Sequence, residues 1–211
     1  MPLGRQKGQS PPNKGQKYPA EPLTEAEVAA LLRQCSSRAP TGVRNRAMLV
    51  MMYRGGLRIG ETLALYPKDV DRTAGTVRIL RGKGKKARVV GLDPAAFAFI
   101  ERWLDVRKRH RLTGRKPLFC TLQGKPVSAP YVRMMLARIA AKAGIDKRVH
   151  PHGLRHTHAL ELASEGTPIN TIQLQLGHGN ASTTSTYIQK LSPKVVIETM
   201  QRRTWSGAPK A

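Results

Sequence analysis

Arg58, Lys83, His152, Arg155, His178 and Tyr187 are residue types that together can transfer a phosphoryl group. They lie in the stretches GLRIGE, RGKGKK, HGLRH, LGHGN and STTSTY, in that order. Two guanidinium forks can hold the non-bridging oxygens of a phosphodiester and stabilise a pentacoordinate transition state. A tyrosine phenol, with an ordinary pKa of about 10, can attack in line once its proton has somewhere to go. A general acid must protonate the leaving oxygen, and histidines can assist proton transfer and contact phosphate. His152 and Arg155 stand at i and i+3, so a helix would project both from one face. His178 lies on a glycine-flanked turn nine residues before Tyr187, which leaves room for a short helix that returns the phenol to the site. This set needs no metal and no cofactor.

The segment HPHGLRHTHAL, residues 150–160, also admits a zinc reading. His152 and His156 are at i and i+4, and His150 or His158 can add a ligand. That reading has no cysteine or carboxylate beside it and leaves Arg155 without a role, so the expected metal content is none. GKGKK has the look of a phosphate-binding loop. It lacks the G-x-x-x-x-G-K-[ST] spacing and a helix directly after it, which argues against ATP.

Each reactive residue needs an element to hold it. A capping-box spacing, Thr24 with Glu27, starts a first helix with Val28, Leu31 and Leu32 as its apolar stripe. A second covers roughly residues 44–54, where AMLVMMY is apolar enough for the central core, its methionines packing and not ligating. Gly55 and Gly56 break it, and another helix begins near Arg58. GTVRIL and ARVVGL flank RGKGKK as a small hairpin with Lys83 at or near its turn. Asp93 and Pro94 open a helix with Phe97, Ile100 and Leu104 at helical spacing. APYVRMMLARIAAKAG is a further helix, and others are expected over 152–165, 168–176, 181–190 and 193–203. The sum is a mainly helical α+β domain with one small antiparallel sheet. Residues 1–22 read as a basic disordered arm, 23–205 as the catalytic domain and 206–211 as a flexible tail. Tyr18, Tyr53, Tyr66, Tyr131, Trp103 and Trp205 read as packing or surface rings.

The net charge is +24, from 37 Lys and Arg against 13 Asp and Glu. Seven basic residues and no acid lie between Arg72 and Leu92, and ten more, again with no acid, between Val106 and Ile145. One-signed stretches of this length point to a polyanion, and double-stranded DNA is the expected partner. Lys85, Lys86 and Arg88 are expected to contact its phosphates. No apolar run approaches the ~20 residues of a membrane span, and no secretory signal opens the chain. Cys35 and Cys120 are single and distant, so reduced thiols and a cytoplasmic location are expected.

At these motifs the chain resembles the tyrosine site-specific recombinases, the phage integrases and Xer-type recombinases. The family pattern is an arginine in G-L-R-x-x-E, a hairpin lysine, H-x-L-R-H, L-G-H, and a tyrosine nine residues on. The resemblance spans about residues 22–204 and implies a site-specific recombinase or integrase. Tyr187 would form a 3′-phosphotyrosyl link, Arg58, Arg155 and His178 would stabilise the transition state, and Lys83 would be the general acid. His152 would accept or assist the proton, and Glu61 would orient Arg58 or its neighbours. His156 fits the pattern as a packed core residue, whereas His158 stands where the family usually has an apolar or aromatic side chain. Members work as tetramers on two DNA sites, and the segment 193–203 would dock into a neighbouring subunit.

Two departures stand out. Gly60 replaces a small polar residue, and only the short arm precedes the catalytic domain where members carry a helical core-binding domain. Under the resemblance the chain would be a naturally minimal recombinase, a fragment, or a domain working with a separate accessory protein. A type IB topoisomerase-like nicking-closing enzyme would use the same chemistry, but His152 stands where that class tends to have lysine. A catalytically idle DNA-binding module is the other alternative.

Overall fold

The computed structural model describes residues 22–80 and 87–177. Its first helix, α1 (Glu25–Arg33), starts as the capping box requires. Glu27 N–H donates to Thr24 Oγ1 at 3.2 Å, and Thr24 N–H donates to the Glu27 carboxylate at 2.7 Å. α2 (Pro40–Tyr53) begins four residues before the expected Arg44, because Ser36 Oγ receives the N–H groups of Arg38 and Ala39 and Pro40 fits the first helical position. Ala47, Met48, Met51 and Met52 are fully buried, so this helix is wrapped on nearly every side. It packs chiefly on α4 (Pro94–Arg109) and α6 (Pro151–Ser164). α4 is capped by Asp93 Oδ1, which accepts from Ala96 N–H at 2.9 Å. On it, Ile100 and Trp103 are fully buried, and Trp103 Nε1 donates to Leu118 O at 2.7 Å.

A three-stranded antiparallel sheet in the order β1 (Val70–Asp71), β2 (Thr76–Ile79), β3 (Arg88–Gly91) lies to one side. The hairpin register pairs Val77 with Val90, Arg78 with Val89 and Ile79 with Arg88. Side chains alternate faces along a strand, so Val77, Ile79, Val90 and Arg88 point inward while Arg78 and Val89 point out. β1 was not expected. Two residues carry no alternation to read, and the strand is set by the 3₁₀ turn Pro67–Asp69 before it, where Tyr66 N–H donates to Asp69 Oδ2 at 2.8 Å. α3 (Ile59–Ala64), α5 (Ala129–Lys142) and α7 (Ile169–Leu176) complete the described elements, so the fold is the expected mainly helical α+β domain. Residues 1–21 of the expected arm, the turn of the hairpin, the tail and the helices over 181–190 and 193–203 lie outside the described residues.

Two arginines counted in the basic balance are structural. Arg107, 3 % exposed, donates to the carbonyls of Leu112, Pro117 and Leu118, which fixes the turn after α4. Arg44, also buried, donates to Asn45 Oδ1, Cys120 O and the Tyr131 hydroxyl. Cys35 and Cys120 are buried free thiols.

Candidate active site

The site is built where α2 stops. Gly56 adopts a φ of +62°, and a Cβ there would come within 2.7 Å of both His158 and Leu176 side chains, so glycine is needed twice over. The turn aims the Gly56 carbonyl at α6, and Leu57, fully buried, pins the chain before Arg58. Arg58 is the N-cap residue of α3. Glu61, in the third helical position, reaches back to accept Arg58 N–H at 2.9 Å. The reciprocal half of a capping box is absent because a guanidinium only donates.

Glu61 is the hub, with 5 % of its surface exposed. Its Oε1 accepts from Arg58 Nη1 at 2.8 Å and Arg88 Nη1 at 3.0 Å. Its Oε2 accepts from Arg88 Nη2 at 2.8 Å and lies 3.9 Å from Arg155 Nη1. Burial pushes this carboxyl up, but the Arg88 guanidinium, the Arg58 N–H and the Arg58 guanidinium outweigh it and hold the pKa at about 2. One fixed negative charge therefore faces three positive ones, and the surplus favours an anion.

α6 begins at Pro151, one residue before the expected start. His150 caps it, its Nδ1 accepting from Gly153 N–H at 3.0 Å. Arg155 is buried, and its Nη1 and Nη2 donate to the carbonyls of Gly56 and Leu176, both at 2.6 Å. It thus joins the turn after α2 to the last turn of α7. His152, one helical turn earlier on the same helix, lies at the surface with its ring stacked on His150 at 6.4 Å. Partial burial, then the charges of Arg155, His150 and Arg58, lower its pKa, so the ring is neutral at pH 7 and can take a proton.

The structure therefore gathers Arg58, Glu61, His152 and Arg155 around one place. Lys83, Lys85, Lys86, His178 and Tyr187 lie outside the described residues. Arg88 departs from its expected role. Its side chain is 11 % exposed and turned inward, held by Glu61 and by Gln175 O at 3.1 Å, so it does not face solvent as a phosphate contact. The strand alternation that makes Val90 a core residue carried that signal. Reading the sequence also missed Gln175, whose side-chain amide donates to Gly91 O at 2.9 Å and accepts from Gly91 N–H at 3.3 Å. Nor did it find Glu161, which accepts from the Tyr53 hydroxyl at 2.6 Å and pairs with Arg54.

Among the described residues no three His, Cys, Asp or Glu side chains are grouped as metal ligands. His150 Nδ1 is occupied by the helix cap, and His152 is exposed where His156 is 4 % exposed. No helix among the described residues is long and apolar enough to cross a membrane.

The chain is similar over most of its length to known proteins. Tyrosine recombinase XerD of Xanthomonas axonopodis pv. citri is 36 % identical over 186 residues, covering 84 % of this chain and 60 % of that protein. Tyrosine recombinase XerC of Yersinia pestis is 34 % identical over 187 residues, covering 89 % and 60 %. The chain thus spans about 60 % of the length of these curated relatives. Among solved structures, the XerA recombinase superposes with a TM-score of 0.73 at 28 % identity, covering 93 % of this chain and 68 % of that one. XerH recombinase, in a post-cleavage complex with its palindromic difH substrate, gives 0.70 at 26 %, covering 86 % and 52 %. The catalytic domain of bacteriophage HP1 integrase shares the fold, with a TM-score of 0.57 at 20 % identity over 90 % of this chain and 98 % of that one. Residues 21–193 match the Phage integrase family, and the chain belongs to that family.

Proposed function

We propose that this protein is a site-specific recombinase that cuts and rejoins DNA strands through Tyr187, without metal or ATP. The observation that carries the reading is the pair Arg58 and Arg155, set around one ionised buried carboxylate on an otherwise strongly basic chain. In the proposed step the Tyr187 oxygen bonds to phosphorus and the bond from phosphorus to the 5′ oxygen breaks. The phenol proton passes to His152, neutral at pH 7, and Lys83 protonates the leaving oxygen. Arg58, Arg155 and His178 bind the non-bridging oxygens as charge builds on them. The reverse step, with a 5′ hydroxyl from another strand, reseals the exchanged product. Lys85 and Lys86 bind backbone phosphate. Strand exchange runs in a tetramer on two sites, joined through residues 193–203, and segments such as those that make the relatives longer, or an accessory protein, complete the grip on DNA. The matches to Xer recombinases over most of this chain support the reading.

The test is incubation with supercoiled plasmid in excess EDTA, stopped with detergent, with protein-bound DNA measured for wild type and Tyr187→Phe. Adducts from wild type alone are expected. Adducts that need added metal, or that persist in Tyr187→Phe, overturn the proposal. Relaxed circles without joined products from two marked plasmids give the topoisomerase-like alternative, and binding with neither gives the idle module.

A further inference from the structure

Arg88 is the described residue through which three parts of the site meet. Its fork fills both oxygens of Glu61, at 3.0 and 2.8 Å, while its Nε donates to Gln175 O in the last turn of α7 at 3.1 Å. Its aliphatic stem lies against Gly177, where a Cβ would approach Arg88 Cδ within 2.7 Å. Gly177 closes α7 in the left-handed conformation, φ +64° and ψ +48°, immediately before His178 in the sequence. A second link joins the same two elements, the amide pair between Gln175 and Gly91. Leu176, between the two α7 contacts, offers its carbonyl to Arg155. β3, the end of α7, Glu61 and the two phosphate-binding arginines therefore share one network of hydrogen bonds.

We propose that Arg88 is a positioning residue for strand cleavage, which fixes the Glu61 carboxylate and the C-terminus of α7 in one frame and so sets the aim of Arg58 and Arg155. The inference rests on the recombinase reading for its catalytic consequence, and on geometry alone for the coupling. A guanidinium fork is required because one side chain must serve two carboxylate oxygens and a carbonyl in fixed directions. Lysine keeps the charge and loses that arrangement. A DNA-contacting arginine would behave in the opposite way, tolerating lysine and acting on affinity.

The test compares wild type with Arg88→Lys, Gln175→Ala and, as a control for charge on the outward face of the hairpin, Arg78→Lys. Amide hydrogen exchange is measured without DNA. In Arg88→Lys, residues 87–91 and 173–177 are expected to exchange faster together, by about tenfold or more, with α1 and α5 unchanged. Gln175→Ala, a milder change that leaves Glu61 paired, moves the same two segments by less. Exchange that is unaltered, or that rises in β3 alone, overturns the coupling. For catalysis, protein in excess over a nicked duplex, recovered from wild-type adducts formed on a random-sequence pool, gives the rate of adduct formation and the affinity separately. Arg88→Lys is expected to slow the saturated rate by at least about tenfold with Kd little changed, while Arg78→Lys reacts as wild type. A saturated rate equal to wild type, or a loss confined to Kd, overturns the positioning role. If wild type forms no adduct on any DNA, the recombinase reading fails, and exchange still decides the coupling.

Discussion

His158 occupies the space that a side chain at Gly56 would need, its Cδ2 lying 2.7 Å from where a Cβ would stand. The carbonyl of that same glycine accepts from Arg155 at 2.6 Å. The tight turn after α2 is therefore shaped by a histidine on α6 and read by an arginine on α6, one helical turn apart. Gly56→Ala has to relieve the clash and adopt a positive φ. It should destabilise the fold by about 2–3 kcal/mol and lower adduct formation by displacing the Arg155 acceptor. Urea denaturation and the detergent-trapped assay check the two effects, and a variant as stable as wild type would show that the turn has slack.

Both His158 ring nitrogens are buried with no hydrogen-bond partner among the described residues. Burial first, then the charges of Arg54 and Arg155, bring its pKa down to about 4, against the partial opposition of Asp93. The folded pKa is depressed, so the stability tied to the neutral ring is intact above the unfolded value of 6.5 and is lost as pH falls toward 4. Between pH 6.5 and 5 this amounts to roughly 2 kcal/mol. His158→Leu removes the group at similar volume. Its stability should fall less than that of wild type over this window by about that amount, measured as denaturant midpoints at the two pH values.

Glu61 has the opposite chemistry and the same sign. Its carboxyl is held at about 2 against an ordinary 4.5, so its stabilising effect is complete above pH 4.5 and lost on acidification toward 2. Glu61→Gln leaves Arg88 and Arg58 facing a neutral amide. At pH 7 the loss should be about 3 kcal/mol, narrowing below pH 4.5, as followed by thermal unfolding across pH. The cleavage rate should fall more than the stability change implies, because Arg58 loses its fixed partner.

The basic residues divide into two groups that salt should separate. Arg133, Arg138 and Lys142 lie exposed on α5, whereas Arg44 and Arg107 are buried and committed to protein acceptors. Arg133→Ala or Arg138→Ala should weaken DNA binding and reduce the salt slope by about 1 each. Arg107→Met should leave the slope alone and lower the melting temperature, since carbonyls aimed at the guanidinium lose their donor. Salt titrations of binding, beside melting curves, distinguish the groups.

Much of this arrangement was readable in the residues. Thr24 with Glu27 announces α1, Asp93–Pro94 announces α4, and the alternation of Val77, Ile79 and Val90 announces the hairpin, because caps and pleats act over a few neighbouring residues. The motif set around Arg58, His152 and Arg155 was legible for the same reason. The misreadings arise where distant segments meet. Arg88 looks like one more surface charge until Glu61 and Gln175 are brought to it. Arg107 looks like part of a basic stretch until the carbonyls of Leu112, Pro117 and Leu118 are brought to its guanidinium. His150 serves as a cap through a nitrogen lone pair, a use that histidine shares with many others in sequence. His158 gives no local sign of being buried against Gly56.

Strand cleavage through Tyr187 is tested most directly by the site and polarity of the covalent link. Wild-type adducts formed in EDTA would be digested with nuclease and protease, and the remaining nucleotide located by mass spectrometry. The released DNA ends would be tested for direct labelling by polynucleotide kinase. A nucleotide on Tyr187 through its 3′ phosphate is expected, with free 5′ hydroxyl ends that label at once. A nucleotide on any other side chain, or a 5′-phosphate linkage, would contradict it.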